Sequence, residues 1–215
     1  MNTLKRSMKI SASNQIVDIA KKSKIKIHEP FADFLHSSDE EANFEISLLD
    51  CYHLAGHACH SMTGAFLVTQ AAVEKLFPES KTCERGDVIV EFGSEIDKKA
   101  TGPRSNVISY ITGAWGETGF PGLKGQFSRK NLISYGHNDL KENEVRFRRI
   151  SNGKEVIVEY NPSIATKELS CQLSFPESWR EEIFAILKNK DRVVEVTEKI
   201  EMSTCGTGSN PNGCS

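Results

Sequence analysis

The residues best suited to chemistry lie in one run, Cys51-Tyr52-His53-Leu54-Ala55-Gly56-His57-Ala58-Cys59-His60. It holds three of the chain's six histidines and two of its six cysteines. On a continuous helix His53, His57 and His60, spaced by four and three, share one face. Cys59 lies off that face and joins them only if the helix breaks near Gly56. Such a break places His57 and Cys59 at a helix entrance, where free N–H groups favour a thiolate. Imidazole with thiolate suits zinc, and after it iron, copper or nickel. His57, Cys59, His53, His60 and Cys51 are therefore candidate metal ligands. The competing reading is a polar surface helix with Cys51 as a small core residue. His53 and His57 have the spacing of a zincin helix but lack its glutamate base, so a metalloprotease is excluded. Cys59-His60 is not a haem c attachment site, which needs two cysteines. A haem or other large cofactor held by His57 or Cys59 stays open.

Several elements must position these residues. Ser13–Lys22 carries Ile16, Val17, Ile19 and Ala20 on one face of a short helix. Ile25 and Ile27 alternate with polar residues as in a brief strand, and His36–Asn43 reads as a loop. Ile46–Leu54 is expected to be helical up to Gly56. Met62–Phe77 has the spacing of a buried helix, and Pro78 ends it. Val88–Phe92 is a strand. Gly102–Ser105 turns into a second helix, Asn106–Trp115. Strands are expected at Gln126–Tyr135, Glu144–Ile150 and Glu155–Tyr160, the last two joined by an Asn152-Gly153 hairpin turn. Trp179–Lys188 is a final amphipathic helix. From His57 onward the order is helix, strand, helix, then three strands, an α+β pattern.

With 215 residues, the chain suffices for one main domain with an appendage. A net charge of −2 supplies no basic excess for nucleic acid. The basic runs Lys21–Lys24 and Arg146–Arg149 read as solvated faces or strand edges. No apolar run approaches the roughly 20 residues of a membrane span. Met1–Ile10 lacks the apolar core of a secretory signal, so the expected location is the cytoplasm. The six cysteines then read as thiols, metal ligands or redox groups rather than as a disulfide framework. No Cys-x-x-Cys is present.

Gly56-His57-Ala58-Cys59, followed by Gly64 and a buried helix, resembles the Gly-His-x-Cys segment of the FmdE-like family, named for a component of formylmethanofuran dehydrogenase. Tyr110–Gly119 is similar to that family's second signature, a Thr-Gly-Cys followed by a glycine-containing turn. The resemblance covers about residues 50–160. It implies an FmdE-like α-β-α-β-β-β core with a mixed sheet packed on helices. It also implies a small metal-binding domain, often a homodimer, associated with molybdenum or tungsten enzymes or with one-carbon chemistry. Ala55, His60 and Ala114 depart from the family's histidine, proline and cysteine. His57 and Cys59 carry over, leaving His53, His60 or Cys51 to complete the ligand set. The domain reading is an extension at 1–46, the core at 47–165, an appendage at 166–203 and a cysteine-containing tail at 204–215.

Other segments carry lesser signals. Glu95 and Asp97 are candidate bases, and Arg104 beside a helix start is a candidate for an anionic substrate. The bland alternative is a loop with a helix capped by Ser105 or Thr101. Trp115, Phe120 and Phe127 flank a glycine-rich loop and could line a pocket or pack in the core. Gly116–Gly119 lacks the Gly-Lys-Ser/Thr ending of a phosphate loop. Cys205 and Cys214 sit on a Gly/Ser/Asn-rich tether that suits a metal- or sulfur-transfer arm, or two spare thiols.

Overall fold

The computed structural model describes residues 15–169 and 173–199. The cysteine tail and Cys171 lie outside the described residues.

Helix α1 (residues 15–22) leads into β1 (Lys24–His28), α2 (Pro30–Phe34), α3 (Asp39–Ala42) and β2 (Asn43–Ser47). The expected loop at His36–Asn43 thus contains a turn of helix, which Ser38 begins by accepting from Glu41 N at 3.1 Å. Helix α4 (Leu48–Ala55) starts with a capping box. Asp50 N donates to Ser47 Oγ at 3.2 Å, and Ser47 N donates to Asp50 Oδ2 at 2.8 Å. Because this box fixes the start at Leu48, Ile46 belongs to the preceding strand rather than to the helix. The other elements are α5 (His60–Leu76), β3 (Thr82–Glu84), β4 (Val88–Phe92), α6 (Thr101–Thr112), β5 (Ile133–Ser134), β6 (Glu144–Arg149), β7 (Glu155–Tyr160), α7 (Ser163–Thr166), α8 (Glu177–Lys188), α9 (Lys190–Val193) and β8 (Val194–Lys199).

Two mixed sheets form. The smaller has the order β2-β1-β3, with β1 antiparallel to β2 and parallel to β3. The larger has the order β5-β4-β6-β7-β8, antiparallel except for the β4/β5 pair. The fold is α+β, with mixed sheets packed on helices. Strand β1 comes from the first 46 residues and β3 from the later core, and Ile25 and Ile27 are buried in the same cluster as α5.

Helix α5 is the centre. It packs against α4, α6, α8 and β7, and its Met62, Phe66, Val68, Ala72 and Leu76 are buried. Burial on nearly every side explains why its sequence is apolar almost all round. Gly64 permits the closest approach. A Cβ there would lie 2.5 Å from Tyr160 Cζ. Tyr160 in turn donates from its hydroxyl to His60 O at 3.0 Å, tying the end of β7 to the start of α5.

Three expectations differ in extent. Helix α6 begins at Thr101, with Ala100 at its cap and no side-chain cap bond; Ser105 Oγ donates instead to Gly102 O at 2.7 Å. Its end is Gly113 at φ 71°, two residues before the expected Trp115. The strand expected over Gln126–Tyr135 is reduced to Ile133–Ser134, because Phe127 and Asn131 hold φ of 61° and 58°, which an extended ladder excludes. Of the three arginines of β6, Arg148 is exposed as expected, but the other two are not solvated. Arg146 is buried, with Nη1 donating to Glu91 at 2.8 Å and Nη2 to Asp139, while Arg149 Nε donates to Asp87 at 3.0 Å. The hairpin at Gly153 (φ 73°) forms as expected.

Candidate functional site

The chain does break at Gly56. Gly56 takes φ 76° and caps α4, with its N–H donating to His53 O at 3.2 Å. Cys59 then caps α5 and accepts from Met62 N at 3.5 Å. The break divides the five sequence-nominated ligands into two groups.

Two of them, Cys51 and Cys59, are buried, and a third, His60, is half-buried. Cys51 is fully buried on α4, where burial, and after it the nearby Asp50 charge, pushes its thiol up to about 12. Its side chain is part of the core cluster that surrounds α5. Cys59 is buried as well, its sulfur turned into the first turn of α5. His60 stacks on Trp179 with ring centroids 5.1 Å apart. Its Nε2 lies 2.7 Å from Glu182 Oε2, close enough for an ion pair, although no hydrogen-bond acceptor meets the direction of its N–H. Burial pushes this imidazole below its ordinary value, and Glu182 opposes the shift.

The other two, His53 and His57, are exposed and line one cleft of about 390 Å³ with Tyr52, Trp179 and Arg180. His53 stands in the last turn of α4, where the helix dipole favours a cation. His57 Nδ1 lies 3.0 Å from Ala55 O. A carbonyl only accepts, so Nδ1 carries a proton, and in the neutral ring the Nε2 lone pair is left for a ligand.

Among the described residues, no group of three or more His, Cys, Asp or Glu side chains is placed to hold a metal ion. The five nominated ligands therefore do not converge as one centre. Helical periodicity put the three histidines on one face, but the left-handed residue at Gly56 separates His60 from the others.

The candidate bases Glu95 and Asp97 are exposed after β4, with the Glu95 carboxylate resting against Gly136. Arg104 turns inward from the first turn of α6. Its guanidinium carbon lies 5.9 Å from the centre of the Phe92 ring, and its Nε and Nη2 are buried without a hydrogen-bond partner among the described residues. The open cleft of about 840 Å³ beside α6 is instead lined by Pro103, Ser105, Asn106, Trp115 and Tyr135. The helix start and Arg104 thus face different spaces and form no joint anion site.

Trp179, Arg180 and Glu182 were not legible as partners of the segment. Trp179 Nε1 donates to Ala58 O at 3.0 Å across 121 residues of sequence, a separation that no local pattern encodes. The one cue was a tryptophan at the start of an amphipathic helix. Among the described residues, no helix is long and apolar enough to cross a membrane. No protein-family model matches the chain, and no curated protein matches it significantly.

Proposed function

We propose that this is an FmdE-like metal-binding protein whose site is open, with His53 and His57 as the protein's ligands and zinc as the first-choice ion. The observation that carries the reading is the Nδ1 hydrogen bond of His57 to the Ala55 carbonyl. Metal-ligating imidazoles commonly hold their second nitrogen this way, which fixes ring orientation and tautomer. Two exposed imidazoles in one cleft fit a borderline ion such as zinc. Cys51, Cys59 and His60 are engaged elsewhere, so the remaining coordination positions fall to solvent, a substrate or another chain.

That division favours an open site over a closed structural one. A bound ion of this kind supplies Lewis-acid polarisation or an activated water. Around it, Arg180 adds a positive charge and Trp179 an apolar wall, which suits a small anionic substrate. Association with a molybdenum, tungsten or one-carbon pathway rests on the family resemblance alone.

The test is calorimetric titration of the chelator-treated full chain with zinc. The expected result is about one equivalent bound, at least tenfold weaker in His57→Ala and His53→Ala and unchanged in Cys51→Ser. Absence of zinc uptake, or equal uptake by the double histidine variant, refutes the reading.

A further inference from the structure

We propose that a second pocket, built on Arg85, Arg129 and Trp115, binds a planar aromatic monocarboxylate. The pocket, of about 430 Å³, is bounded by Glu29, Phe31, Arg85, Trp115, Phe120 and Arg129. That volume lies within the range of about 300–1,000 Å³ typical of small-molecule sites.

The inference rests on guanidinium donors that outnumber the acceptors bonded to them. Two guanidiniums share a single carboxylate, that of Glu29: Arg129 Nη2 donates to Glu29 Oε1, and Arg85 Nη1 donates to Oε2 at 3.4 Å. Glu29 also accepts from Phe31 N at 3.2 Å as the cap of α2, so its charge is divided further. The neighbouring acids are occupied. Glu84 bonds His28 at 2.7 Å, and Asp87 shares Arg149 with Glu79, at 3.0 and 2.7 Å. Cys83 nearby is buried, with burial pushing its thiol up to about 12, so it adds no charge. What stays unmet is donor capacity in half-dry surroundings. The Nε atoms of Arg85 and Arg129 are both buried and lack a hydrogen-bond partner among the described residues. An arginine in such a place matches a carboxylate in charge, planarity and fork geometry.

The backbone is shaped to seat these charges. Arg129 runs across Gly86 (φ 88°) and Gly113 (φ 71°). A Cβ at Gly86 would lie 2.8 Å from Arg129 Nε, and one at Gly113 would lie 3.2 Å from its Cζ. Two left-handed turns that exclude side chains therefore make room for the Arg129 guanidinium. The walls set the rest of the specificity. Trp115 faces the cavity, and Phe31 and Phe120 pack with ring centroids 5.2 Å apart. Flat apolar walls beside a cation select a ring that bears an acid. Glu29 disfavours a dianion such as a phosphate monoester.

The probe is 1-naphthoate, titrated into the full-length chain by calorimetry, with neutral 1-naphthalenemethanol as its comparator. The expected result is one naphthoate bound per chain, at least tenfold tighter than the alcohol. Arg85→Met should remove that preference while the alcohol binds as before, and Arg85→Lys should keep part of it. Arg192→Met, a change of an exposed arginine, should leave it intact. Equal binding of acid and alcohol by the wild-type chain overturns the proposal without reliance on any variant. So does an undiminished preference in Arg85→Met, or no binding of naphthoate at millimolar concentration.

Discussion

Gly64→Ala is the sharpest test of how the centre of the molecule is built. In an exposed helix the substitution stabilises by about 1 kcal/mol, because alanine loses less backbone entropy. Here the new methyl carbon would lie 2.5 Å from Tyr160 Cζ and 2.6 Å from Cδ1, well inside van der Waals contact. Tyr160 cannot yield freely. It is buried, its residue is paired with Val194 at the end of β7, and its hydroxyl holds His60 O. Overpacking of this kind costs about 2 kcal/mol. Turning the ring away also breaks the His60 bond, worth about 1 kcal/mol. With the propensity gain of about 1 kcal/mol set against both, the net loss is about 2 kcal/mol. For a chain of this size that lowers Tm by about 4–8 °C. Thermal denaturation followed by circular dichroism measures it. In a Tyr160→Leu background the methyl group finds space, and the cost of Gly64→Ala falls by more than half. An unchanged or raised Tm for Gly64→Ala in the wild-type background refutes the reasoning.

Two further outcomes concern the candidate site and the core around it. Burial lowers the folded-state pKa of His60 beneath its ordinary value of 6.5, so the unfolded chain binds a proton first as pH falls. The stabilisation is complete above about pH 6.5 and declines as pH drops toward the folded value. Tm of the wild type should therefore fall more between pH 7.5 and 5 than that of His60→Gln, and parallel pH profiles would contradict the assignment. Cys51 and Cys83, with thiols at about 12, should resist iodoacetamide at pH 8 in the native protein and react fully in denaturant. Peptide mass spectrometry reads both states, and rapid native labelling of either thiol would show that its burial is misassigned.

What the amino-acid sequence determined by itself was what short-range physics governs. The strand expected at Glu155–Tyr160 is β7, and Asn152-Gly153 marked its hairpin, because a positive φ is a local demand. A nearly continuous apolar run marked α5 as the buried centre, within two residues of its start. Gly56 announced the break that sets Cys59 at a helix entrance. The two-residue strand β5 was overread because the left-handed residues Phe127 and Asn131 before it are not glycines and leave no trace in composition.

The tertiary structure decided how those residues are used. Which of the five nominated ligands face solvent depends on α8 arriving with Trp179 and Glu182 to occupy His60. Arg104 reads as a surface anion site beside a helix start, yet its guanidinium turns inward toward Phe92. Glu29, Arg85 and Arg129 share one charge across 100 residues of sequence, a balance that exists only once β1, β3 and the glycine-rich loop have met. Burial and ion pairing are properties of that assembled interior. A side chain's neighbours, not its identity, set whether it is a ligand, a core residue or half of an ion pair.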